Sequence, residues 1–345
     1  MAKVFIVSEV KRLLLGGEVR LKTNATLICR KNGKQKYAML LPVTGIAIAV
    51  SESIFLPDMQ AVNSSCYQSF LVGSGVVFTG LSFFSFFGQT GLSRKLQSRS
   101  LFIFAVFLFL GVWDLLSTKS DIMKLPFFPG PAQIASIIVS ERSTLLISGY
   151  YSMRLFFAGL ILGSVFGIIT GILIGWYSKW NYWLFPIIKL TGVIPSVAWI
   201  PIAVVIFPNS FITGVFLIIM ASLFPIALMV STGISSTPKT FYEVAKTLGA
   251  NEQYLLFRVA IPNAVPSILT GISTATGISF LTLIVSEMVG AKAGLGWYIN
   301  WAKAWSSYDK VYASIIIMAV IFSVIIGIIT LIKNRLLRWQ KGITK

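Results

Sequence analysis

Few residues of this 345-residue chain are of types that do chemistry, and their spacing does not suit catalysis. There is no histidine, which excludes Ser-His-Asp relays, histidine general bases and histidine metal sites. Cysteine occurs only at Cys29 and Cys66, too few for a disulfide framework or a cysteine-only zinc site. Of 11 acidic residues, only Glu52, Asp114 and Glu287 fall in or beside apolar segments. No catalytic residue, metal ligand or cofactor site is nominated. One polar stretch stands out instead, TFYEVAKTLGANEQYLLFRVAIP, Thr240 to Pro262. Its pattern is helix, glycine, helix, proline. Glu243, Ala245, Lys246 and Leu248 favour helix. Gly249 can end it in the left-handed conformation. Leu255, Leu256 and Val259 carry a second helix, which Pro262 is expected to stop.

The elements that hold this stretch are apolar. Hydrophobic residues make up 56% of the chain and charged residues 12%, with a mean hydropathy of +0.83. A soluble domain carries roughly 25% charged residues, so lipid must supply much of the solvent. The pattern predicts an all-α polytopic membrane protein with eight candidate spans: 38–55, 70–88, 101–116, 153–176, 183–207, 211–234, 265–289 and 311–332. The fifth is interrupted by Pro186, Pro195 and Pro201. Period-two alternation, the mark of a β-barrel, is absent. The apolar runs at Val4 to Val7 and Leu13 to Leu15 fall short of the roughly 7–15 residues of a secretory h-region.

The net charge of +18 does not indicate nucleic acid, because the basic residues lie between apolar runs and form no single face. They encode topology. With the N-terminus inside and every span crossing, 21 Lys and Arg lie inside, six outside, and two, Arg154 and Lys189, within spans. Both termini are therefore expected in the cytoplasm of a cell whose inner or plasma membrane holds the protein. Cys29 falls inside and Cys66 outside. The organisation expected is a basic cytoplasmic tail over 1–37, two additional spans over 38–100, and a core over 101–340, densest at 148–333.

Most other features have plain structural readings. Gly159, Gly163, Gly167 and Gly171 recur every four residues and point to close helix packing. Trp297, Trp301 and Trp305 suggest a helix at the headgroups. Lys189 can snorkel. Glu287, near the outer end of its span, is expected to reach water. Pro195 and Pro201 either kink a packed helix or free carbonyls for a solute. Pro195, Trp199, Pro201 and Glu287 are the candidate pathway residues.

The Thr240–Pro262 stretch resembles the Glu-Ala-Ala loop of bacterial importer permeases. Glu243, Ala245, Gly249, Val259, Ile261 and Pro262 stand at the motif's spacing, with Val244 for alanine, Val259 for isoleucine and Ile261 for leucine. IPSVAWIPIAVVIF, Ile194 to Phe207, and SEMVGAKAGLGWYI, Ser286 to Ile299, extend the resemblance to the nitrate/taurine/sulfonate permeases of the ATP-binding cassette transporters. That resemblance implies a type I importer transmembrane domain of about six core spans with two added spans before it. It implies a loop that couples to the ATPase, and a permease without an ATPase site of its own. ATP and magnesium are then held by partner ATPase subunits. The other implied partners are an extracytoplasmic solute-binding protein, a second permease copy and lipid. The implied solute is a small anion such as nitrate, taurine, an alkanesulfonate or bicarbonate. The alternatives are an ion-coupled secondary carrier, which would need buried acidic relays, and a membrane scaffold or enzyme subunit.

Overall fold

The computed structural model describes residues 40–58, 64–87, 99–120 and 122–338. The basic tail over 1–37, Cys29, Arg94, Lys95, Lys341 and Lys345 lie outside the described residues. The described residues are helical and contain no strand. In hydrocarbon each backbone N–H and C=O needs an internal partner, and a helix supplies it within one segment. Six helices are long and apolar enough to cross a membrane, or seven if one bent pair is a single span. The chain divides into two compact units, 1–139 and 140–345.

In the first unit, α1 (Leu40–Phe55), α2 (Ser65–Phe87) and α3 (Ser100–Asp114) form an up-down-up arrangement. A Cβ on Gly45 would lie 2.9 Å from Phe104, and one on Gly111 3.7 Å from Ala49, so α1 and α3 run parallel. Between them Ile46, Ala49, Tyr67, Leu71 and Phe107 form a small core. A π-helical turn, Leu115–Lys119, extends α3, and α4 (Pro131–Ser140) follows. The described part of the first candidate span is 16 residues, about 24 Å of helix against a hydrocarbon thickness of about 30 Å.

The second unit is built on α5 (Arg142–Trp176) and α8 (Ser210–Ser235). Cβ atoms built on Gly159, Gly167 and Gly171 would meet Ile218, Ile226 and Val230 at 2.6–2.8 Å, and one on Gly163 would collide with Ser222. Both partners step by four residues in the same direction, so the two helices are parallel and packed backbone to backbone, the expected use of the glycine stripe. The fifth span differs from expectation. It begins earlier, at Ser178, and consists of α6 (Ser178–Val193) and a second piece, Ser196–Ile206, bent by 96°. Pro195 lacks the N–H that would continue α6, so a 3₁₀ turn, Ser196–Trp199, intervenes before α7 (Ile200–Ile206). Because α5 and α8 are parallel, this bent segment must carry the chain back to the end from which α5 started. It is a broken crossing and not a re-entrant loop.

After α8 come α9 (Lys239–Thr247) and a long helix over Glu252–Gly290, whose main part is α10 (Ile261–Gly290). A Cβ on Gly233 would meet Ala264 at 3.0 Å and one on Gly271 would meet Met229 at 2.9 Å, so α10 runs antiparallel to α8. A short helix, α11 (Leu295–Ala304), and α12 (Tyr308–Leu336) complete the unit. At the centre Phe280 stacks on Phe322 and meets Phe156 edge-on.

Candidate functional site

The polar loop takes a defined shape. α9 ends at Thr247, and Gly249 has φ +85°. Gly249 N–H donates to Lys246 O at 2.9 Å and Ala250 N–H to Ala245 O at 3.0 Å, which is the Schellman arrangement. Nothing lies within 4 Å of a Cβ built on Gly249, so the backbone conformation, not space, requires glycine there. Asn251 then caps the next helix, its Oδ1 accepting from Tyr254 N–H at 2.8 Å. The expectation that Pro262 stops this helix is overturned, because the helix runs unbroken from Glu252 to Gly290. A π-helical turn over Leu255–Ala260 precedes the proline, with Ile261 N–H bonded to Leu256 O, five residues back. That wide turn accommodates a proline ring that would crowd the carbonyl of Arg258 in a regular helix.

The inner face of the loop is anchored. Tyr242 packs edge-on against Trp176 with ring centroids 5.7 Å apart, Leu255 and Leu256 are buried, and Asn263 Nδ2 donates to Thr237 Oγ1 at 3.0 Å. The outer face is apolar and open. Phe241, Val244 and Leu248 share one side of α9 and are 53%, 61% and 83% exposed, with Tyr254 and Phe257 exposed beyond the turn. Between the two helices lies an open depression of ≈ 520 Å³ lined by Val244, Leu248, Asn251, Tyr254 and Val259. Glu243 is exposed, with no ion-pair partner among the described residues, Ala245, Val259 and Pro262 are half-buried, and Ile261 packs on the core. All six motif residues therefore belong to one short structure.

The four pathway candidates separate. Pro195 sits at the bend and Pro201 in the first turn of α7. Trp199 packs with Ile200, Phe216 and Val285, and its buried Nε1 has no hydrogen-bond partner among the described residues. A depression of ≈ 240 Å³ beside them is lined by Val204, Phe207, Ser210, Thr213, Ser286 and Lys292. Glu287 turns away from it. The expectation that Glu287 reaches water is overturned, since it is 1% exposed. Its Oε2 accepts from Ser152 Oγ at 2.9 Å and from Gly296 N–H at 2.8 Å, while Ser152 Oγ accepts from Leu295 N–H at 2.8 Å. The carboxylate thus caps the N-terminus of α11, where a helix dipole favours negative charge. Gly294, φ +128°, leaves room for it, because a Cβ there would collide with the carboxylate.

A second carboxylate fastens the same helix, and nothing in the sequence marks it. Glu141 accepts from Tyr298 OH and pairs with Lys310, whose Nζ lies 5.2 Å from the Trp301 ring centre. Burial would raise the Glu141 carboxyl, but the hydrogen bonds from Lys310 and Tyr298 outweigh it and hold it below its usual range. Burial and the bond to Glu141 push the Tyr298 phenol up. Trp297 and Trp301 belong to α11 and stack at 6.4 Å, while Trp305 lies just past its end, 71% exposed. Among the described residues no group of three or more His, Cys, Asp or Glu is placed to hold a metal.

Comparison with known proteins bears on the loop and its helices together. Residues 163–340 match the family described as "Binding-protein-dependent transport system inner membrane component". The chain belongs to this family. A protein of Brucella melitensis described as a probable ABC transporter permease is 30% identical over 214 residues, covering 60% of this chain and 81% of the relative. A bicarbonate transport system permease protein of Synechocystis is 30% identical over 214 residues, 57% of this chain and 74% of the relative. A nitrate import permease protein of Leptolyngbya laminosa is 27% identical over 210 residues, 56% and 72%. The chain is thus a membrane-embedded permease component of an ABC importer. The family match takes in every motif residue of this permease from Pro195 to Glu287 and leaves out its first unit.

Proposed function

We propose that this permease imports a small oxoanion across the cell membrane, using ATP hydrolysed with magnesium on partner ATPase subunits that dock on the Thr240–Pro262 loop. The observation that carries the reading is the open apolar face of Phe241, Val244 and Leu248 on a loop otherwise polar and firmly anchored beneath. A helix with such a face seats in a groove of a partner. Movement of that groove on ATP binding would then act on α8 and α10, to which the loop is directly joined. The positive-inside distribution supports a cytoplasmic loop and cytoplasmic termini. The solute class is taken from the bicarbonate and nitrate relatives. Trp199 Nε1, Lys292, Ser210 and Thr213 suit an anion as a buried donor, a cation and hydroxyls near the broken crossing. An extracytoplasmic binding protein would deliver the solute to that end, and a second copy of the permease would complete the pathway.

The test is assembly with the ATPase and solute-stimulated hydrolysis in proteoliposomes. Val244→Asp with Leu248→Asp should abolish co-purification while the helices still insert. Normal assembly, hydrolysis and uptake by that double variant would remove the mechanical basis of the assignment.

A further inference from the structure

We propose that the first unit carries a binding site for one hard divalent cation of the calcium type, where the C-terminal ends of α1 and α3 converge. Those parallel ends bring together two sets of terminal carbonyls, the negative pole of each helix. Lys119, 8% exposed, answers part of that charge. Its Nζ donates to Asp58 Oδ1 at 2.6 Å, to Leu56 O at 2.6 Å and to Ser53 O at 3.4 Å, which uses all three ammonium donors.

Two carboxylates remain. Glu52 lies against Gly111, since a Cβ there would be 2.9 Å from Glu52 Oε2, and Asp114 stands one turn further along α3. Glu52 and Asp114 are close enough to act on each other as like charges, and Asp114 is 3% exposed. With Asp58, three carboxylates among the described residues act on one ammonium, a formal excess of two negative charges there. Ionised carboxylates without a counter-charge are costly inside an apolar unit.

The surroundings point inward with unused oxygens. Among the described residues, Glu52 Oε1 and Tyr67 OH are buried with no hydrogen-bond partner, and buried Asp114 Oδ1 and Thr118 Oγ1 have none beyond the interaction of these two side chains with each other. The Tyr67 phenol is within electrostatic reach of both carboxylates, and Thr118 follows Asp114 by one turn. These donors are all oxygen, which selects a hard cation over zinc or a thiophilic metal. Two bidentate carboxylates and two hydroxyls offer about six oxygens, within calcium's range and without the strict octahedron magnesium demands. Glu52 is only half-buried and leaves a way in.

The full-length protein, purified in detergent and stripped with a chelator, is titrated with calcium by calorimetry and thermal unfolding. One saturable calcium per chain and a higher unfolding midpoint are expected. Asp114→Asn and Tyr67→Phe should each weaken binding, the first by tenfold or more, with monodisperse elution and helix content unchanged. Absence of saturable binding, or equal binding by both variants, would overturn the site. So would stabilisation by acid alone, which means a shared proton, or by sodium at matched ionic strength.

Discussion

Glu287 on α10 and Ser152 on α5 share a buried hydrogen bond of 2.9 Å. The relationship gives a candidate pathway acid the part of a clamp, because the same oxygen holds Gly296 N–H. Glu287→Ala would strand that amide and the Ser152 hydroxyl in the core, at about 1–3 kcal/mol for each lost partner. Glu287→Gln keeps an acceptor in place and should unfold close to wild type. Thermal unfolding in detergent, read beside uptake in proteoliposomes, separates the roles. A glutamine variant with normal stability and no uptake would return Glu287 to the pathway.

The clamp on the other side of α11 is sensitive to acid. Glu141 is held below its ordinary value of 4.5 in the fold. A carboxyl depressed by folding contributes stability that is present above the unfolded value and lost as pH falls through the folded one. The tether to Lys310 and Tyr298 should therefore hold at neutral pH and release only below about pH 4.5. Glu141→Gln should lower the unfolding midpoint at pH 7 and flatten its fall in acid. An unchanged acid limb in that variant would rule out the tether as its source.

The glycine stripe gives a test of packing. Any side chain at Gly167 must displace Ile226, since its Cβ would sit 2.8 Å from Ile226 Cβ. Overpacking of this kind costs about 1–3 kcal/mol, and Gly167→Val should show it as reduced insertion or a lower unfolding midpoint. Gly327→Val, at a position with nothing within 4 Å, is the control expected to behave as wild type.

The sequence made legible whatever depends on local pattern. Apolar runs located the helices, and the four-residue glycine period marked the packed face of α5, though not its partner α8. Gly249 was readable because only its backbone conformation demands glycine. Other features depend on long-range contacts that leave no local trace. Ser152 and Glu287 are 135 residues apart and Glu141 and Tyr298 157, so neither pair has a spacing to read. Pro262 misled because a proline ordinarily ends a helix, and only the preceding π-helical turn lets this one continue. The exposed face of Phe241, Val244 and Leu248 was readable at helical spacing, yet the polar background of the loop masked it.

Topology is tested by the two cysteines. Cys66 lies at the start of α2 and is free and half-buried. The charge distribution predicts it outside and Cys29 inside. An impermeant thiol reagent on intact cells should label Cys66 and spare Cys29 until the membrane is opened. Labelling of Cys29 from outside would reverse the N-terminal tail.

The decisive prediction concerns Gly249. At φ +85° a Cβ disfavours the turn by about 1 kcal/mol or more. Because nothing lies near that Cβ, the penalty acts on the angle between α9 and the following helix and leaves the core intact. Gly249→Ala should reduce ATPase-coupled uptake, and β-branched Gly249→Val should reduce it further, while both variants insert and unfold near the wild-type midpoint. Gly249→Asn, whose side chain tolerates the left-handed region, should retain more uptake than alanine. This order follows from backbone conformation, whereas a side-chain contact with the ATPase would rank the variants by size or charge. Uptake by Gly249→Val equal to wild type would show that the loop's geometry does not transmit the ATPase stroke.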